Sequence, residues 1–78
     1  MIASLKPNGI YRLCEWEEVV GVLNELDESQ GVLFAKISNI SIVLPIEMAE
    51  ILKIHRNKRL AILRTDDQNQ PYRWRLLD

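Results

Sequence analysis

The stretch "WEEVVGVLNEL", residues 16–26, reads at two periods, and the choice between them sets the fold class. At helical spacing, Trp16, Val19, Val20, Leu23 and Leu26 line one stripe. As a strand, the β-branched run around Gly21 suits a bulged or sharply bent segment. The residues that follow favour the strand. "DESQG" supplies turn residues and "VLFAKIS" a clear β partner, so residues 19–37 read as a hairpin with a longer loop.

Outward from that hairpin the pattern stays β. In residues 32–38, Leu33, Ala35 and Ile37 share one face, while Val32, Phe34 and Lys36 share the other. Ser38-Asn39 makes a tight connection to "ISIVLP", where Ile40, Ile42 and Leu44 point inward. Pro45 then opens a helix expected over residues 46–56, since its missing N–H costs nothing at a first turn. Met48, Ile51, Leu52 and His55 form its apolar stripe, and Asn57 suits a left-handed cap. Before the hairpin, "KPNG" at residues 6–9 is a turn signal, and the strand after it completes an N-terminal segment of residues 1–14.

Two further strands close the chain, "RLAILRT" and "YRWRLL", joined by the polar loop "DDQNQP". Pairing Ile62 with Trp74 places Leu60, Ile62, Tyr72, Trp74 and Leu76 on one face. A slip of one residue opposes Ile62 with Arg75 and buries charge, so the pattern specifies its register. Arg73 and Arg75 then point outward beside Leu63 and Ala61, away from the aromatic rings.

The order strand, strand, strand, helix, strand, strand is similar to that of the OB-fold, a five-stranded, partly open barrel with a helix between its third and fourth strands. It resembles small single-domain OB modules of the translation-initiation and cold-shock kind. The resemblance spans residues 19–77 and rests on element order. SH3-like and Sm-like barrels share much of the pattern and stand as the alternative. The expectation is a mainly β, single-domain chain over residues 1–78.

Composition narrows the function classes. A chain of 78 residues allows one modest core, burying about 60% of its unfolded surface. No apolar run approaches the roughly 20 residues of a membrane helix, and the N-terminus lacks a continuous signal-peptide core. With Cys14 as the single cysteine, the expected setting is reducing and cytoplasmic. One cysteine and one histidine, His55, cannot form a zinc site, and nothing links them as nucleophile and base. No glycine-rich phosphate loop is present, so neither metal nor cofactor is expected and the chain reads as non-enzymatic.

The net charge of −1 is unevenly spread. Residues 1–30 carry Lys6 and Arg12 against six carboxylates, a balance of −4; residues 31–78 carry eight bases against five, a balance of +3. Two functions of different class follow. One is a single-stranded nucleic-acid (RNA or DNA) binder of the OB type, with Phe34 beside Lys36 as a stacking site and Arg59, Arg64, Arg73 and Arg75 as phosphate contacts. The other is a protein-interaction or self-associating module, in which the acidic run Glu15, Glu17 and Glu18 meets a basic partner or the basic half of another copy.

Overall fold

The computed structural model describes residues 10–77, and within it the ambiguous stretch belongs to one long strand. Six strands follow in chain order: β1 (Ile10–Tyr11), β2 (Glu18–Ser29), β3 (Val32–Ile37), β4 (Ile40–Pro45), β5 (Arg59–Arg64) and β6 (Tyr72–Leu76). A 3₁₀ turn (Ile46–Met48) and a short helix, α1 (Ala49–Lys53), lie between β4 and β5. The strands form one open sheet in the order β1-β4-β3-β2-β5-β6, antiparallel except for β1 beside β4. The expected order of five strands and a helix is present, and the short strand expected after residue 9 is the two-residue β1 at an edge. The turn expected at residues 6–9 lies outside the described residues. Among the described residues no helix is long and apolar enough to cross a membrane.

The two-sided reading of residues 16–26 has a geometric cause. β2 pairs with β5 through Glu18–Val22 and with β3 from Leu23 onward. Just inside the second half the register shifts by one: Leu23 opposes Ile37, but Glu25 opposes Lys36. This bulge changes which residues face inward. Val19 and Leu23 are buried before it, and Leu26 packs on the core after it. Spacings of four and then three therefore come from an alternating strand with one extra residue, and they mimic a helical stripe.

The bulge is held by backbone pairing from two directions. Leu23 donates to the Lys58 carbonyl at 3.0 Å and accepts from the Asn57 N–H at 2.7 Å. Ser38 N–H donates to the Val22 carbonyl at 2.9 Å, and Asn24 Nδ2 to the Ser38 carbonyl at 2.5 Å. Gly21 faces this crowded corner. A Cβ built there would run into the Ser38 hydroxyl and come within 3.0 Å of Ile37 Cγ2.

Two local expectations are corrected. The β2–β3 connection is not a longer loop: β2 runs to Ser29, and Gln30 and Gly31 alone turn the chain, both at positive φ (53° and 79°) as in a type I′ turn. The expected helix over residues 46–56 is also shorter. After Lys53 the chain tightens, His55 N–H donating to the Leu52 carbonyl, and Asn57 reaches φ 70° where it meets Leu23. The left-handed asparagine was expected; its pairing with β2 ends the helix early. Ala49 and Leu52 are the buried positions of α1, whereas Ile51 is exposed rather than part of an inward stripe.

Leu23, Leu33, Ile37, Ile42, Leu44, Leu52, Leu60 and Ile62 are the largest fully buried side chains. Tyr72 and Trp74 pack against this core from β6 while remaining partly exposed. The final hairpin has the expected register, with Ile62 opposite Trp74, Leu60 opposite Leu76 and Arg64 opposite Tyr72. Leu76, however, lies at the exposed end of its face.

The crowding at Gly21 yields a test. Gly21→Ala should destabilise the protein by about 1–3 kcal/mol through overpacking. Ser38→Gly removes the opposing hydroxyl and relieves a φ of 57°, so the double variant should recover part of that loss. Denaturant melts of the four proteins give the coupling; strictly additive changes would contradict the contact.

Candidate functional site

The residues singled out for binding fall into three places. Phe34 and Lys36 stand on the outer face of β3. Across β2, Asp27 opposes Phe34 and Glu25 opposes Lys36. Lys36 Nζ lies 4.0 Å from Glu25 Oε2, so the one ammonium already has a carboxylate neighbour. Ile10, Glu25, Asp27, Phe34, Lys36 and Ser41 line a groove of about 350 Å³. A phosphate entering it would meet two carboxylates, which repel it, against one ammonium.

Arg64 occupies a second place, on the core-side face of β5. Its Nη1 donates to Tyr72 Oη at 3.0 Å, and its guanidinium carbon lies 5.0 Å from the Tyr72 ring centroid. The group is half-buried, and its Nε is buried with no hydrogen-bond partner. Its charge is committed to the ring beside it.

The third place gathers Arg59, Arg73 and Arg75. Register sets them in rows across the outer face: Glu18, Leu63 and Arg73; then Val20, Ala61 and Arg75. Val22 opposes Arg59 in the next row, and Leu77 N–H donates to the Arg59 carbonyl at 2.9 Å. Val20 and Val22 remain 43% and 38% exposed at the centre. Among the described residues, ion pairs engage Lys36 and Lys53 but none of these three arginines. Lys53 is bound to Glu28 at 3.2 Å, which holds its amine above its ordinary pKa and ties α1 to β2.

Trp16 extends the same face, and sequence reasoning gave it only to an apolar stripe. Its backbone N–H donates to the Arg64 carbonyl at 2.6 Å, its φ is 67°, and the residue is 60% exposed. With Thr65, Asp66, Asp67, Gln70 and Arg73 it lines a recess of about 150 Å³. The "EWEE" context was the available signal, because a tryptophan between carboxylates is poorly placed for a core.

Glu15, Glu17 and Glu18 do not share one surface. Glu18 lies on the arginine face, and Glu15 lies near Asp66 and Asp67. Glu17 folds back so that Cys14 N–H donates to its Oε1 at 2.6 Å. That bond holds the Glu17 carboxyl below its ordinary range, while the carboxylate pushes the Cys14 thiol up and away from the thiolate form. His55 is elsewhere, its ring centroid 4.9 Å from that of Trp74. Among the described residues no group of three potential ligands could hold a metal ion.

No family model, curated protein or solved structure matches the chain.

The Glu17 contact predicts an acid-side effect on stability. A depressed carboxylate stabilises the fold above its unfolded pKa, and that contribution is lost as pH falls through the lower folded value. Melts of the parent protein and Glu17→Gln should therefore differ at neutral pH and converge in acid. An unchanging difference down to about pH 2 would contradict the capping role.

Proposed function

We propose that this chain is a small, non-enzymatic protein-interaction module that engages its partner through the outer face of β2, β5 and β6. One observation carries the reading: exposed Val20 and Val22 lie among Arg59, Arg73 and Arg75, with Trp16 at the margin and no ion pair on any of the arginines among the described residues. Tryptophan and arginine around an apolar centre is the composition of interface hot spots. A net charge of −1 and the carboxylates beside Phe34 also suit a protein partner better than a polyanion. The element order and the bent β2, shared between β3 and β5, support an OB-like barrel as the frame. A lone cysteine suits a reducing, cytoplasmic setting.

A second reading has its own observation. Trp16 is the most exposed ring on the face that also carries Arg73, so single-stranded nucleic acid could stack there rather than on Phe34. Titration at about 50 mM salt with a glutamate-rich peptide and, separately, with oligothymidylate separates the two. Chemical-shift changes at Val20, Val22, Arg59 and Arg75 with the peptide, and none with oligothymidylate, are expected. The converse result, with binding weakened by Trp16→Ala by about 1–3 kcal/mol, would hand the face to nucleic acid.

A further inference from the structure

The partner's form can be drawn from β6, on the premise that the arginine face binds protein. β6 is the last strand of the sheet, paired only with β5. Thr65 N–H donates to the Pro71 carbonyl at 2.7 Å and Leu77 N–H to the Arg59 carbonyl at 2.9 Å. Hydrogen-bonded pairs alternate along an antiparallel ladder, so odd-numbered residues of β6 bond to β5. The backbone groups of Tyr72, Trp74 and Leu76 therefore point to the open edge, where no strand meets them among the described residues. Such an edge is a template for an added strand.

The side chains restrict what can add. Arg73 and Arg75 stand on the outer face, exposed and without carboxylate partners among the described residues. A second copy of β6 pairing antiparallel about Trp74 would set arginine opposite arginine, which is destabilising. Carboxylates two residues apart in an incoming strand would instead lie opposite both guanidiniums. On the other face that strand would meet Tyr72, Trp74 and Leu76. A groove of about 330 Å³, with Pro45, Met48, Pro71 and Tyr72 in its walls, runs beside the start of β6 and offers apolar contact there.

We infer that the open edge of β6 accepts an extended peptide of alternating carboxylate and apolar residues as an additional strand. Main-chain bonding at Tyr72, Trp74 and Leu76 supplies the pairing, and Arg73 with Arg75 selects the acidic face.

Three capped peptides test this: one alternating valine with glutamate, one of the same composition in two blocks, and the alternating one N-methylated at every second residue on its pairing edge. The alternating peptide should shift the amides of Tyr72, Trp74 and Leu76 and slow their hydrogen exchange. Blocking its sequence or its pairing amides should weaken binding by roughly tenfold or more. Arg73→Glu with Arg75→Glu, both on exposed side chains, should abolish that binding and accept an alternating valine–lysine peptide instead. Equal binding of all three peptides, with shifts confined to Val20, Val22 and Arg59, would overturn strand addition and leave the face as a binding surface. Failure of all three to bind would overturn strand addition, and the glutamate-rich peptide and oligothymidylate titrations decide the protein-binding premise separately.

Discussion

The bulge between Leu23 and Glu25 is the constraint on which the other elements depend. β2 must serve two partners, β5 along its first half and β3 along its second, and both halves must feed one core. An unbroken alternation would keep the strand straight through that junction. One extra residue bends it and resets the inward positions from Val19 and Leu23 to Leu26. The bend also frees backbone groups, and leaving one buried and unpaired costs about 1–3 kcal/mol. Asn57 and Lys58 bond both polar groups of Leu23, so the chain leaving α1 is committed to β2 before the helix can lengthen. A short helix, a left-handed asparagine and a glycine pressed against Ser38 are three consequences of one irregularity.

The same bend separates two surfaces of opposite chemistry. Beyond it, β2 presents Glu25 and Asp27 beside Phe34; before it, β2 presents Val20 and Val22 beside β5 and β6. The charge imbalance along the chain therefore becomes a spatial one. Its acidic side is built by residues 25 and 27 rather than by the "EWEE" run, where Glu17 is consumed in capping Cys14. Its basic side is built by alternate residues of β5 and β6, with Arg64 excluded because it falls on the core-side face. Charges near one another in sequence are divided by the period of the strand, and distant ones are united by register.

This explains which parts could be read beforehand. The final hairpin was legible because both strands alternate cleanly and a slip would bury an arginine, so side-chain chemistry alone specified Ile62 opposite Trp74. The outward placement of Phe34 and Lys36 was legible for the same reason. What faces them was not, because the pairing of Asp27 with Phe34 depends on a one-residue shift that the bulge introduces. The helical stripe over residues 16–26 was a false likeness produced by that shift. Trp16 was legible only in part: the carboxylates on either side argue against a core position, but nothing in the sequence announces the φ of 67° that turns it onto the surface.

The closing "PYRWRLL" shows how one alternation can serve stability and selectivity together. Odd positions bond to β5 and carry arginines outward; even positions pack Tyr72 and Trp74 against the core and leave their backbone groups at the sheet edge. The rings anchor an edge strand that would otherwise fray, with His55 packed at a tilt against Trp74 from the turn after α1. Charged side chains on such an edge guard it against pairing with its own kind, because like charges fall opposite one another. That protection is asymmetric. It opposes a basic or self-derived strand and favours an acidic one, so the arginines that keep the edge from self-pairing are also what would make it selective.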